Sequence, residues 1–240
     1  MGGKPAQQYP RRVPSAGPQP LNQVAIEAVK PRLRGVMHQY AFFVALAGGM
    51  TLVVLARDGL TRLAMSVYAA SVAGLLGTSA LYHRRTWTER ARMWMRRLDH
   101  SMIFVLIAGT YTPFALLVLH GGIATAILIA VWAGALAGIG LNLVWVTAPK
   151  PVTAAVYITI GWVAVAAMPQ LARAIGPVGV SLVLGGGVLY TAGAVIYALR
   201  RPNPVPGVFG YHEVFHALVV AAAIAHFTAV AIYALPARVG

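Results

Sequence analysis

A neutral imidazole nitrogen is a strong ligand for transition metals, and the stretch "YHEVFHALVVAAAIAHF" (211–227) offers three in an otherwise apolar run. His212 and His216 stand four residues apart, so on a helix they share one face, about 6 Å apart along the axis. "SALYH" (79–83) puts Ser79 and His83 in the same relation, and "RRLDHSMIF" (96–104) sets Asp99 at the edge of another apolar run. Two imidazoles from one helix and a third from another can fill three corners of a tetrahedron. The fourth stays open, as in catalytic zinc sites. The chain has no cysteine, which leaves imidazole as its best zinc ligand and rules out disulfides. An isolated His-x-x-x-His equally suits two histidines in interfacial water. The choice depends on the elements that carry these residues.

Those elements are membrane spans. Of the 240 residues 59% are hydrophobic and only 10% charged, against roughly a quarter charged in soluble domains. Uncharged apolar runs of about 18 residues or more read as transmembrane helices. Seven such runs extend approximately over Met37–Ala56, Leu63–Tyr82, His100–Leu119, Gly121–Ala148, Pro151–Met168, Val178–Leu199 and Val214–Pro236. The expectation is an all-α integral membrane protein, a bundle of seven transmembrane helices. A polar tail of more than thirty residues precedes the first run, which is therefore expected to be a span and not a signal-peptide core. Gly134 and Gly138 in "GALAGIG" mark a face for close helix packing.

The net charge of +14 would suit nucleic acid, but its distribution argues for a topology signal instead. Fifteen of the nineteen Lys and Arg residues fall in the tail, between spans two and three, after span four and after span six; Arg57, Arg62, Arg173 and Arg238 are the remainder. Cationic loops stay cytoplasmic, so the N-terminus is expected inside and the C-terminus outside. Residues 1–35 read as a disordered basic cytoplasmic tail, with "LNQVAIEAVK" (21–30) able to form an interfacial helix, and 36–240 as the seven-helix domain. The expected partners are membrane lipids, with anionic headgroups at the cytoplasmic face, and no nucleic acid.

In this topology His83 ends the second span, Asp99 begins the third, and His212 and His216 begin the seventh, all at the cytoplasmic depth. The topology rests on Lys and Arg alone, so the convergence is a separate observation, and it favours metal over the interfacial-water reading. His226 lies about 21 Å beyond His212 and belongs to a different site, where a local hydrogen bond is expected. His120 reads as solvated on the outer side. His38 reads equally as an interfacial residue or as a contact behind the ligands. His100 and Glu213 point about 100° away from their neighbours Asp99 and His212 and are disfavoured as ligands.

The three quoted motifs, in that order, resemble the hemolysin III family, the bacterial branch of the superfamily that includes the adiponectin receptors. The likeness runs from the first span to the seventh. It implies a bacterial plasma-membrane location and a zinc ion near the cytoplasmic face. It also implies His83, His212 and His216 as ligands, with Ser79 and Asp99 close to the metal-bound water. Of the family's first motif, "KPRLRGVMH" keeps only His38. The implied activity is zinc-dependent hydrolysis of a lipid amide or ester, ceramidase-like, with Asp99 as proton carrier and Ser79 as hydrogen-bond donor. The alternatives are a non-catalytic membrane-homeostasis or receptor-like protein with a structural zinc, a pore-former as the family name suggests, and an ion transporter.

Overall fold

The computed structural model describes residues 31–145 and 147–237. The tail expected at 1–35, with its interfacial helix at 21–30, lies almost wholly outside them, as does Arg238. The described chain is helical: α1 (Val36–Leu55), α2 (Gly59–Arg84), α3 (Glu89–Leu117), α4 (Gly121–Val144), α5 (Lys150–Gly161), α6 (Met168–Leu199) and α7 (Tyr211–Ala229). A short 3-10 turn, Val163–Ala167, joins α5 to α6, and a π-helical turn, Val230–Ala234, follows α7. Six segments are long and apolar enough to cross a membrane; Lys150–Leu199 counts among them as a single stretch.

Consecutive helices pack as neighbours from α1 to α4, α6 packs on α7, and α7 closes against α1. Two helices, α2 and α3, start behind a side-chain cap, Asp58 and Thr88. Asp58 accepts the Thr61 backbone N–H at 2.8 Å and the Thr61 hydroxyl at 2.7 Å, which satisfies donors at the start of α2. On α2, Val72, Leu75, Leu76, Ser79, Ala80 and His83 recur at helical spacing and are all buried. That stripe carries Ser79 and His83 into the interior together with the apolar core. By contrast α1 exposes Phe43, Val44, Met50 and Val54, an apolar face suited to lipid. Gly138 on α4 leaves no room for a Cβ against the Phe104 ring, so α3 and α4 meet closely at the predicted small-residue face.

Two findings differ from the sequence expectation. The third helix starts at Glu89 behind a Thr88 cap, about three turns before the apolar run, so Asp99 sits inside α3 and not at its start. Its arginines lower the hydropathy without breaking the helix. The 50-residue stretch from Lys150 also doubles back. Lys150 Nζ lies 4.2 Å over the Tyr197 ring near the end of α6, so the stretch begins and finishes at one end of the bundle. The reversal is at Gly176, whose φ of 64° is open to glycine and strained for other residues, followed by Pro177. Between α5 and the 3-10 turn the Tyr111 hydroxyl donates to Gly161 O at 2.7 Å and accepts from Ala164 N–H at 2.8 Å. Backbone groups freed by the break are thus satisfied.

Candidate metal centre

The end of the bundle where α2 and α6 finish and α3 and α7 begin carries Arg84, Arg85, Arg90, Arg92, Arg96, Arg97, Arg200 and Arg201. Here His83 from the last turn of α2 meets His212 and His216 from the first two turns of α7. One ring nitrogen of each lies within 4.8 Å of the other two. His83 Nε2 and His212 Nε2 are 3.2 Å apart. Tetrahedral ligation at about 2.0–2.1 Å would separate two ligand nitrogens by about 3.3 Å, so this edge already has the right length. A single N–H can serve the His83–His212 pair, yet His216 Nδ1 is buried with no hydrogen-bond partner. The three converging ring nitrogens therefore make a donor set that could hold a divalent cation.

Asp99 and Ser79 are buried beside the cluster. Asp99 Oδ2 is 3.9 Å from His83 Nε2, and the Ser79 hydroxyl is placed to donate to the Asp99 carboxylate. All five residues singled out by spacing and depth thus come together. Asp99, Ser79, His212 and His216 line one end of a cavity of about 140 Å³ that runs between the helices to Tyr190 and His226. Much of its wall is apolar, including Leu75, Ile103, Leu106 and Val219.

Three further features support the cluster. His38 of α1 stacks on His216, ring centroids 3.8 Å apart and planes within 7°, which fixes the orientation of that imidazole. Of its two readings, a contact behind the cluster is the one observed. Gly35, just ahead of α1, has φ 79°, and a Cβ there would come within 2.6 Å of His83 Cβ. Glycine is required by both the backbone conformation and the space. Finally, the Arg34 guanidinium pairs with Glu213, which is 0% exposed. Glu213 also accepts the Gly210 N–H at 2.9 Å, and Asn203 Oδ1 accepts the Tyr211 N–H at 2.9 Å. Glu213 is thus no part of the metal group. It anchors the start of α7 to the chain ahead of α1, and removing one member of such a buried pair typically costs about 3–5 kcal/mol.

The other histidines lie elsewhere. His226 Nε2 donates to Val183 O at 3.0 Å, the local hydrogen bond expected of it. His120 is exposed at the start of α4. His100 is half-buried in the cavity wall, its backbone carbonyl accepting from Tyr157 at 3.1 Å.

Comparison with known proteins identifies the family. A family profile described as "Haemolysin-III related" matches residues 26–227. A "Hemolysin-3 homolog" of Bacillus subtilis (strain 168) is 32% identical over 168 residues, covering 70% of this chain and 76% of that protein. A "Hemolysin-3" of Bacillus cereus is 33% identical over 173 residues, covering 72% of this chain and 76% of its own length. With its apolar spans and these bacterial relatives, the chain is an integral membrane protein that belongs to the hemolysin III family.

Proposed function

We propose that this protein is a zinc-dependent hydrolase of lipid amides or esters, working at the cytoplasmic side of a seven-span bundle. The observation that carries the reading is the meeting of three imidazoles, a carboxylate and a hydroxyl at one end of an apolar cavity. A soluble substrate has no need of such a wall; an acyl chain does. The likeness to adiponectin receptors, which are associated with ceramidase-like activity, points to the same class of bond. His83, His212 and His216 are the zinc ligands in this reading. Zinc, when bound, supplies a Lewis acid that polarises a carbonyl and brings the pKa of bound water toward about 7. Asp99 accepts the proton of the attacking water and returns it to the leaving nitrogen or oxygen as the acyl bond breaks. Ser79, whose single O–H serves one acceptor at a time, turns its hydrogen bond from Asp99 to the oxygen on which negative charge develops once Asp99 has taken up the proton. Asp99→Asn is expected to lower turnover of a lipid-amide panel by at least a hundredfold with zinc content unchanged; unaltered release of fatty acid removes the proton-carrier role.

The reversal at Gly176 supports the seven-span count, because Lys150–Leu199 leaves one end of the bundle and returns to it. The crowding of Lys and Arg at that end supports a cytoplasmic N-terminus and an outside C-terminus. In intact cells, a cysteine placed at position 90 should resist a membrane-impermeant thiol reagent and one at position 173 should react. The opposite pattern inverts the orientation.

One observation favours a second reading, a non-catalytic protein with a structural zinc. Asp99 Oδ2 stands close enough to His83 Nε2 to reach a shared metal as fourth ligand, which would close the site. The Asp99→Asn variant separates the two, since a fourth ligand lost would release zinc.

A further inference from the structure

The cavity mouth carries charge that hydrolysis does not use. Arg96 precedes Asp99 by three residues on α3, about 4.5 Å of rise, and lines the same cavity as Asp99, His212 and His216. Lys150 at the start of α5 lines it too. His100, the residue after Asp99, lines the same cavity. Arg84, Arg85, Arg90 and Arg92 are exposed, and half-buried Arg97 lies over the Trp94 ring and outside the cavity lining, whereas Arg96 and Lys150 are half-buried and line the cavity.

Neither cation lies within ion-pair distance of a carboxylate among the described residues, where Glu213 pairs with Arg34 and the Asp99 carboxylate faces His83 at 3.9 Å. Asp58 is occupied with Thr61 at the opposite end of α2, and Glu89 is exposed in the first turn of α3. Lys150 Nζ donates to the Tyr211 hydroxyl at 2.9 Å and lies over the Tyr197 and Tyr211 rings at 4.2 and 4.8 Å. Ring faces orient an ammonium without neutralising it. Two uncompensated positive charges at the lip of a mainly apolar cavity are unfavourable until an anion joins them. Guanidinium is also the group that grips carboxylate or phosphate in two-pronged fashion.

We propose that Arg96 and Lys150 form an anion-recognition site, so that the lipid taken by this cavity carries a carboxylate or phosphate on its head. An N-acyl amino acid or a phospholipid fits; a neutral amide lacks half of the recognition. The inference rests on the lipid-hydrolase reading for the bond to be cleaved, but binding alone tests it. The full chain, stripped of metal with a chelator to prevent turnover, is titrated in neutral detergent with N-dodecanoylglycine and with N-dodecanoylethanolamine. These probes share chain and amide and differ in one negative charge.

The glycine conjugate should bind at least tenfold tighter at low salt, and added salt should erode that advantage. The advantage should shrink to within twofold in the Arg96→Gln/Lys150→Gln variant and persist in Arg96→Lys/Lys150→Arg. Equal binding of the two probes to the unmodified chain, or an advantage unchanged by the glutamine pair, overturns the site. Dodecyl phosphate should displace the bound conjugate where inorganic phosphate at equal concentration does not; equal displacement by both overturns the lipid assignment in favour of a free anion. With zinc restored, turnover of the neutral amide without any binding preference would sink the anion site and keep the hydrolase. A preference without turnover would do the reverse.

Discussion

Helix α7 places imidazoles at both of its ends, and the two ends satisfy them differently. At the arginine-rich end His212 and His216 face His83, and one ring nitrogen of each lies within 4.8 Å of the other two. Ten residues beyond His216, His226 gives its Nε2 proton to Val183 O and stands beside the Tyr190 ring, with no second imidazole near it. Each end leaves one ring nitrogen buried without a hydrogen-bond partner, His216 Nδ1 and His226 Nδ1, and the ends differ in that only at the first do nitrogens of three rings converge within reach of one cation. The residue type alone therefore says little; the convergence of several ring nitrogens is what separates a candidate ligand set from a lone buried histidine.

The sharpest way to break that comparison is to cut each end separately. His212→Ala/His216→Ala should reduce zinc from about one ion per chain to near zero by elemental analysis of the purified protein. His226→Ala should leave the zinc content unchanged and cost stability by about 0.5–1.5 kcal/mol for the lost hydrogen bond, plus the cavity it opens. If the double variant keeps its zinc, the converging cluster is not the ligand set. If His226→Ala loses zinc, the two ends are not independent.

Much of this contrast was legible in the sequence, and the reasons are physical. Depth in a membrane follows from where Lys and Arg fall, so His83, Asp99, His212 and His216 could be set at one level without any contact information. Helical periodicity then put His212 and His216 on one face and sent His226 far up the same helix. Rotation of one helix against another follows from no such rule. His38 could have faced lipid headgroups or the interior, and only packing turns it onto His216. The Arg34–Glu213 pair joins residues 179 apart in sequence, and the periodicity that excluded Glu213 from the His212 face could not say what it would meet. The start of α3 was missed because hydropathy reports the slab of lipid, while the helix continues beyond it through "ERARMWMRR".

A smaller effect sharpens the comparison through the glycines that make room at each end. Gly35 adopts φ 79° with His83 Cβ 2.6 Å from where its own Cβ would be; Gly186 is helical, and a Cβ there would lie 2.3 Å from the His226 ring. Gly35→Ala meets two costs together, a left-handed backbone worth about 1–3 kcal/mol of strain and a clash with the backbone-proximal atom of a ligand candidate. His83 cannot swing away from its own Cβ, so the helix end must move and the three-nitrogen geometry loosens. Zinc affinity should fall roughly tenfold, read by competition with a calibrated chelator, since shifts of this kind act through ligand placement. Gly186→Ala pushes only on a ring, which can rotate at the expense of the Val183 hydrogen bond, and zinc affinity should stay within twofold of the unmodified chain. Equal losses from both substitutions would mean that the bundle transmits strain from one end of α7 to the other, and that the metal centre is supported by the whole helix and not by its first two turns.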